Sequence, residues 1–380
     1  LGDQALESGT TGDKNVAIGG FALHDSTTTD QNVAIGYNAM GASTTATRSV
    51  AIGYYALDAA NSGARNTAVG WQAMTANTTG QYNTGIGDAA LEQNSTGQYN
   101  TACGQAALSS NTTANSNSAF GMGALQTNTT GSANTAVGYY ALHSENTGGD
   151  NTAVGRQSLA NQQAASGNTA MGYRALFTNT SGIQNVGVGN SSLLSNTTGE
   201  RNVAIGWRVA DANTTGSRNT AVGDHALSSN TTGQYNVCLG SSTLAQSNAN
   251  ENTAIGYEAL LSNTAAQNVA VGAYALTANT SGNSNEALGY ATLKANTTGA
   301  FNIAIGREAL ETNTTADSNI ALGYQTLHSN TIGNTNIAVG REAMYTNVAA
   351  DRNVALGYRS LYTMSRSTTA DTYNVGCGNE

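Results

Sequence analysis

A five-residue pattern of polar and apolar positions recurs along the chain, nearly always seventeen residues after its previous occurrence. The segments 134–138 and 151–155 both read Asn-Thr-Ala-Val-Gly. There are twenty-two copies, and we number each repeat from the first residue of this pentad as position zero. A unit of seventeen residues is too short to bury a core alone, so its apolar side chains must pack on neighbouring copies. The pattern therefore predicts a solenoid.

The spacing departs from seventeen only in the polar half of the repeat. Two steps of sixteen residues lead to Asn252 and Asn268, and a step of twenty-one, enlarged by residues 365–369, leads to Asn374. Insertions in an outer loop leave a stacked inner ladder in register. We predict an all-β, parallel β-solenoid (β-roll) of about 22 coils at about 4.8 Å each, which would form a rod of roughly 100 Å.

The repeat runs without a break in composition, so we predict a single continuous solenoid domain over residues 1–380. No cap is visible, since the sequence starts and stops in the middle of a repeat. Open ends of a solenoid pair readily with other strands. Two expectations follow: the chain is a segment of a longer polypeptide, or its ends abut other copies and extend a filament.

Two positions of the pentad follow opposite size rules. Position three is always apolar, as in Val137 and Val154, whereas position two is Ala, Gly or, once, Cys238. Strand side chains alternate in direction, so we predict that position three points into the coil and position two points outward at a close neighbouring chain. Position four is always Gly, as in Gly138 and Gly155. This predicts a positive φ or a corner where a Cβ would clash.

The rest of the repeat supplies a second wall and a polar turn. Position zero is Asn in all copies but one, so stacking predicts an amide ladder that includes Asn134 and Asn151. Positions seven and eight form an apolar pair, such as Ala141 and Leu142, which we interpret as the other wall of the core. A helix has too little room there, so strand or 3₁₀ structure is expected. The repeat closes with turn formers such as Asn-Thr-Thr-Gly.

The composition argues against several classes of partner. The chain has no proline, which fits stacked strands because proline cannot donate a ladder bond. A net charge of -9 with only 14 Lys and Arg argues against nucleic acid as a partner. No apolar run approaches the roughly 20 residues of a spanning helix, so membrane insertion is not expected. The three cysteines occupy apolar positions far apart, so buried free thiols are expected.

Position five carries a column of aromatic residues. Exposed aromatic rings in a row can stack on sugar rings or on a partner chain. The alternative interpretation is structural, with each ring covering the glycine corner of its neighbour. The candidate residues for ligand or partner contact are Tyr37, Tyr54, Trp71, Tyr139, Tyr173, Trp207, Tyr257, Tyr290, Tyr324 and Tyr358.

The outer turns contain a repeated Asn-x-Thr/Ser sequence. Such sequons would place a sugar at one rim of the solenoid if a glycosylating pathway reached them, although Asn and Thr are also good turn formers. The paired threonines of the same turns raise an ice-binding hypothesis. The candidate glycosylation sites are Asn77, Asn94, Asn111, Asn128, Asn179, Asn196, Asn213, Asn230, Asn279, Asn296 and Asn313.

Catalytic chemistry has little support in the sequence. The four histidines, His24, His143, His225 and His328, are too far apart in coil number to converge on a metal or to activate a nucleophile. The acidic residues at position six, which include Glu308, are expected to form a solvated face rather than a working carboxylate pair. We predict no catalytic residue, no metal site, no cofactor and no enzyme activity.

The pentads at 32–36 (Asn-Val-Ala-Ile-Gly) and 49–53 (Ser-Val-Ala-Ile-Gly) resemble the head repeats of trimeric autotransporter adhesins. The string from Asn219 to Gly233 is similar to repeats of phage-type tail-fibre proteins. The resemblance implies a left-handed β-roll assembled as a homotrimer, with position two at the contact between chains. The seventeen-residue repeat is longer than that of the adhesin heads, and the sequence shows no neck, stalk, anchor or chaperone.

This resemblance leads to two expectations about function. The first is the structural shaft of an extracellular or virion-borne fibre or filament, which self-associates as a homotrimer or end to end. The second is an adhesin or receptor-binding fibre, whose aromatic column or turn rim recognises glycans or matrix. Both place the protein outside the cell, on a cell surface or on a virion.

Overall fold

The computed structural model describes residues 2–59, 61–364 and 370–379. The insertion at 365–369 lies outside the described residues. The chain divides into two compact units. Unit 1 comprises Leu1–Ser191 with Asn196–Thr198, and unit 2 comprises Ser192–Ser195 with Gly199–Glu380. The single continuous domain over residues 1–380 stays a prediction.

The chain folds as an all-β, parallel β-solenoid of about 22 turns with a seventeen-residue spacing, as the periodicity predicted. Each turn contributes one three-residue strand, and no helix occurs in the described residues. The strands of unit 1 are Val16–Ile18 (β1), Val33–Ile35 (β2), Val50–Ile52 (β3), Thr67–Val69 (β4), Thr84–Ile86 (β5), Thr101–Cys103 (β6), Ser118–Phe120 (β7), Thr135–Val137 (β8), Thr152–Val154 (β9), Thr169–Met171 (β10) and Val186–Val188 (β11).

The strands of unit 2 continue the same pattern. Two short extra strands, Ala350–Asp351 (β21) and Ala370–Asp371 (β23), pair with each other outside the main ladder. The strands are Val203–Ile205 (β12), Thr220–Val222 (β13), Val237–Leu239 (β14), Thr253–Ile255 (β15), Val269–Val271 (β16), Glu286–Leu288 (β17), Ile303–Ile305 (β18), Ile320–Leu322 (β19), Ile337–Val339 (β20), Ala350–Asp351 (β21), Val354–Leu356 (β22), Ala370–Asp371 (β23) and Val375–Cys377 (β24).

Stacking keeps equivalent positions of neighbouring turns side by side. In unit 1, β8 and β9 pair in parallel with Thr135 beside Thr152 and Val137 beside Val154. In unit 2 the sixteen-residue steps leave this register intact, since Val237 still pairs with Thr253. The missing residue is lost from the polar turn, as expected for a solenoid.

The two faces of each strand are the reverse of the prediction. Position two lies in the interior, where Ala136 and Ala153 are fully buried, whereas Val137 is 38% exposed on the outer face. The reason is a narrow interior that is already filled from the opposite wall. At Gly85, also in position two, an added Cβ would lie 3.0 Å from Cγ of Met74, a position-eight residue. Small side chains at position two therefore accommodate the core, and the expected contact with a neighbouring chain at this position is wrong.

The second wall is the apolar pair at positions seven and eight, as predicted. Ala141 and Leu142 are fully buried. The wall is built from successive turns rather than from the expected strand or 3₁₀ structure. The backbone is left-handed at positions six and eight, with φ of +52° at Tyr140 and +48° at Leu142. The amide of Leu142 donates to the carbonyl of Ser158 in the next turn at 3.0 Å, so this wall is also tied from turn to turn.

The glycine corner satisfies both halves of its prediction. Gly138 has a φ of +135°, which L side chains rarely adopt. A Cβ on Gly138 would lie 2.6 Å from the carbonyl oxygen of Gly155. The corner of each turn is thus occupied by the backbone of the next one.

The asparagines of position zero form the predicted amide ladder. The Oδ1 of Asn134 accepts from the backbone N–H of Asn151 at 3.0 Å and from its Nδ2 at 3.1 Å. The same Nδ2 donates to the carbonyl of Ala165 at 2.9 Å. Ser49, the exception at this position, keeps the ladder, since its Oγ accepts from the amide of Asn66 at 3.2 Å.

Candidate functional surfaces

The aromatic column at position five lies on the surface. Trp71 is the most exposed unit 1 member at 50%, and Trp207 in unit 2 is 48% exposed. The interpretation in which each ring covers the glycine corner of its neighbour stays a prediction. All ten residues are exposed: Tyr37, Tyr54, Trp71, Tyr139, Tyr173, Trp207, Tyr257, Tyr290, Tyr324 and Tyr358.

Neighbouring members of this column contact one another or share an arginine. Tyr37 and Tyr54 stack with ring centroids 5.5 Å apart. The guanidinium of Arg156 lies 5.8 Å from the ring centroid of Tyr139 and 5.6 Å from that of Tyr173. Such cation–π pairs contribute about 0.5–1 kcal/mol each at exposed sites. The column therefore stabilises the stack and still offers free ring surface to a ligand.

Unit 2 repeats the arrangement as an alternation of tyrosine and arginine. Arg341 lies 5.5 Å from the ring centroid of Tyr324 and 5.8 Å from that of Tyr358. Its Nε also donates to Glu342 at 3.0 Å. Arg359 and Arg341 beside Glu342 hold the pKa of that carboxyl below its ordinary value, with Arg359 the larger cause. The charges of Arg341 and Arg359 are therefore opposed by Glu342 at this point of the column.

A second exposed column runs along the outer face of the strands. Position three is apolar in every turn and carries no charged residue. Ile86, Phe120 and Met171 are each at least 40% exposed, and Leu288 in unit 2 is 48% exposed. Isolated exposed apolar residues are normal, but a continuous apolar face marks an interaction surface.

The burial of each cysteine follows from the reversed faces of the strand. Cys238 at position two is buried, and burial raises the pKa of its thiol well above the ordinary value. Cys103 at position three is half-buried, and Cys377 at the same position is exposed. The expectation of buried thiols is therefore wrong for Cys103 and Cys377, because position three faces outward. All three cysteines are free, as expected.

The sequon asparagines lie in the interior rather than at an exposed rim, which contradicts the glycosylation prediction. At position eleven they form a second amide ladder, in which Nδ2 of Asn94 donates to Oδ1 of Asn77 at 2.9 Å and to the carbonyl of Gly97 at 3.1 Å. The nitrogen that would carry a glycan is thus engaged inside the fold. The buried sites are Asn77, Asn94, Asn111, Asn128, Asn179, Asn196, Asn213, Asn230, Asn279, Asn296 and Asn313.

The paired threonines play two different parts. At position twelve the hydroxyl donates to the backbone of the next turn, as from Thr112 to the carbonyl of Thr129 at 3.1 Å. At position thirteen, Thr79, Thr96 and Thr113 are exposed. Only one threonine of each pair therefore presents its hydroxyl to solvent, and the ice-binding hypothesis stays untested.

One cluster of potential metal ligands was missed by sequence reasoning. Glu308, Glu311 and His328 bring one ligand atom each to within 4.8 Å of one another. They come from positions six and nine of one turn and position nine of the next. Comparing equivalent positions of neighbouring turns would have revealed the cluster, whereas distance along the chain did not. Glu308 is already held by Nε of Arg307 at 2.9 Å and by Nε2 of Gln325 at 2.7 Å. A divalent cation would have to compete with these two donors.

The histidines pair within columns instead of with each other. His24 contacts Oε2 of Glu7 at 3.0 Å and Oδ1 of Asp25 at 2.7 Å, and this pairing raises the pKa of its imidazole. His143, at the same position, contacts the neutral side chain of Gln126, and burial lowers its pKa. The Nδ1 of His143 also contacts Oγ of the adjacent Ser144 at 3.3 Å, while its Nε2 is held by Oε1 of Gln126 at 3.0 Å.

No family model matches the chain, and no curated protein is significantly similar to it. Among the described residues, there is no helix with the length and apolar character that a membrane span requires.

Proposed function

We propose that this protein is the structural shaft of an extracellular or virion-borne fibre, in which copies associate through the apolar column at position three. The observation that carries the proposal is the continuity of this column. Unit 1 alone contributes eleven such side chains. A contiguous row of exposed apolar side chains marks an interaction surface.

The ladders support a mechanical role. Most described turns are hydrogen-bonded to their neighbours through the strand, the second wall and two side-chain ladders, as at Asn151, Leu142 and Asn94. Because each turn contacts only its neighbours, stability grows with the number of turns. Such a stack carries load along its axis without a catalytic site. The two assemblies proposed for the fibre are a homotrimer and an end-to-end filament.

The test is the mass of the native assembly before and after charge is placed on the column. We expect the triple variant Ile86→Lys, Val137→Lys and Met171→Lys to lower the assembly to a monomer in analytical ultracentrifugation. The matched control is Tyr82→Lys, Ala133→Lys and Asp150→Lys, which places lysines on an exposed column elsewhere in unit 1. A wild-type chain that sediments as a monomer at micromolar concentration contradicts the self-association.

The exposed aromatic column at position five favours a second function, the recognition of glycans by an adhesin or receptor-binding fibre. Tyr139, Tyr173 and Trp207 present free ring surface and belong to neither buried wall. We expect their replacement by alanine to abolish binding on a glycan array while the assembly mass stays unchanged. Glycan binding that persists in this variant would contradict a role of the position-five column in glycan recognition.

A further inference from the structure

A second set of aromatic residues lies outside the position-five column. Tyr82 and Tyr99 occupy the residue just before the pentad in successive turns of unit 1. Their rings stack with centroids 5.0 Å apart at an angle of 11°. Arg65, one turn earlier, lies 5.0 Å from the ring centroid of Tyr82 and donates to its hydroxyl. The stack thus has one closed end, at the arginine.

The other end of this stack is open. The next residue of the column is Ser116, and Ala133 follows it one turn later. Neither side chain is long enough to cover a phenol ring, and Tyr99 is 58% exposed. One face of Tyr99 therefore lies against Tyr82, and the opposite face is free for a planar or ring-shaped partner.

A surface groove of about 570 Å³ begins at this free face. Its volume falls in the range of small-molecule sites, roughly 300–1,000 Å³. The groove crosses three turns, from Thr79 to Thr113, which is about 10 Å along the stacking direction. No charged residue lines it.

The polar groups of the groove have spare hydrogen-bonding capacity. Thr79, Thr96 and Thr113 use their backbone amides for the ladder between turns. Their hydroxyls have no partner within the described residues, in contrast to the position-twelve hydroxyls. Asn115 uses Oδ1 to accept the amide of Gln98 at 2.7 Å, which leaves its Nδ2 to donate outward. The groove thus combines a row of neutral donors and acceptors with one aromatic platform.

We infer that this groove binds a neutral oligosaccharide, with one sugar ring stacked on the free face of Tyr99. A sugar ring has an apolar C–H face for the aromatic ring and hydroxyls around its edge for the threonines, Gln98 and Asn115. An acidic sugar would meet no cation in the groove, and the net charge of -9 disfavours it. The groove lies on a different column from the position-five aromatics, so its sugar binding does not depend on those residues.

The probes are cellotetraose, N-acetylchitotetraose and maltotetraose, each at millimolar concentration with the full chain. Saturation-transfer NMR is expected to detect binding of at least one of them. Tyr99→Ala should weaken that binding at least tenfold. Ser116→Tyr should weaken it as well, because a new ring would cover the free face and extend the stack.

The matched control is Tyr235→Ala in unit 2. Tyr235 occupies the same position of its repeat and has Arg218 at 5.3 Å from its ring centroid, but the next residue of its column is Glu251. We expect this variant to bind as the wild type does. Circular dichroism with thermal unfolding verifies that each variant keeps the fold.

Two results overturn the inference. One is the failure of all three tetrasaccharides to bind the wild-type chain. The other is binding that survives both Tyr99→Ala and Ser116→Tyr. If that binding disappears instead when Tyr139, Tyr173 and Trp207 are replaced, the sugar site is the position-five column and the groove inference is wrong.

Discussion

At the scale of single residues, the turn depends on backbone conformations that most side chains avoid. Three positions per turn that usually carry a side chain adopt a left-handed backbone, as at Tyr140, Leu142 and Asp150. Each costs roughly 1–2 kcal/mol relative to the right-handed form. They persist because hydrogen bonds to both neighbouring turns determine the backbone there. The glycine corner is different, since its φ of +120° to +141° lies beyond the left-handed helical region.

The two kinds of positive φ predict different responses to a methyl group. Gly138→Ala should lower the free energy of unfolding by about 3 kcal/mol or more, because it adds backbone strain and a clash with Gly155. Gly167 has a φ of +71°, and a Cβ there would meet only Cγ of Gln184 at 3.6 Å. Gly167→Ala is the control and should lower the free energy of unfolding by only roughly 1–2 kcal/mol, the cost of a left-handed backbone without a clash. Urea unfolding measures both, and equal losses would contradict this account of the corner.

The histidines of position nine give a prediction about pH. The pKa of His24 is raised by Asp25 and Glu7, whereas burial lowers the pKa of His143. The His24 pairing therefore stabilises the fold below the ordinary histidine pKa, and this contribution is lost as pH rises through the raised folded value. His143 acts in the opposite sense and destabilises the fold as pH falls.

We expect an NMR titration of the imidazole protons to place the His24 midpoint above that of His143. Replacement of Glu7 by Gln should lower the His24 midpoint and leave that of His143 unchanged. A His24 midpoint at or below the His143 midpoint would refute the assignment of these pairs.

At the scale of elements, the turns are interchangeable except where a ladder residue changes. Glu145 and Gln162 replace asparagine at position eleven in successive turns. The Oε1 of Glu145 accepts three backbone amides, the shortest from Gly148 at 2.6 Å. Its Oε2 accepts Nε2 of Gln162 at 2.6 Å. The buried carboxylate is therefore satisfied by four donors, and the longer glutamine joins it to the regular ladder at Asn179, 3.1 Å away.

This pair predicts a strong coupling. Glu145→Gln should cost about 1–3 kcal/mol of unfolding free energy, because an amide nitrogen would replace an oxygen that faces a donor. Gln162 cannot simply turn around, since its Oε1 accepts from Asn168 and Asn179. The double variant Glu145→Asn with Gln162→Asn restores the ladder of the other turns and should recover most of the loss. Thermal unfolding of Glu145→Asn, of Gln162→Asn and of the double variant measures the coupling, and a loss in the double variant equal to the sum of the two single losses would exclude it.

At the scale of the whole molecule, the outer face of the strands decides what the solenoid can join. Each turn presents one apolar side chain at position three, so two copies in parallel alignment would repeat the same contact along their length. A contact of this kind is specific in register only if the turns of both copies match. Cys103 marks one such turn of unit 1 and is half-exposed.

Cross-linking tests the alignment directly. If the copies lie parallel and in register, a short bismaleimide should join Cys103 of one copy to Cys103 of another. Cys238 is buried and serves as the control, since it should stay unmodified. With Cys377 replaced by Ser, mass spectrometry of the cross-linked peptide identifies the pair. Cross-links absent from an assembly of proven mass would exclude the in-register arrangement.

The sequence by itself determined the solenoid, the turn length, the strands, the glycine corner and the first amide ladder. These features follow from the periodicity, because stacking places each residue beside the equivalent residue of the next turn. The repeat itself therefore shows which residues are neighbours. The cluster of Glu308, Glu311 and His328 could have been predicted in the same way, by comparing equivalent positions of neighbouring turns.

Only the tertiary structure decided which face of the strand is inside. Ala136 and Val137 are both apolar, so alternation alone cannot orient a strand of three residues. The orientation depends on the space left by Leu142 and its equivalents across the interior, which admits alanine and excludes valine. The burial of Asn94 and the other sequon asparagines could not be predicted either. The sequence shows that a residue forms a turn, but it does not show whether the side-chain amide points into solvent or into the stack.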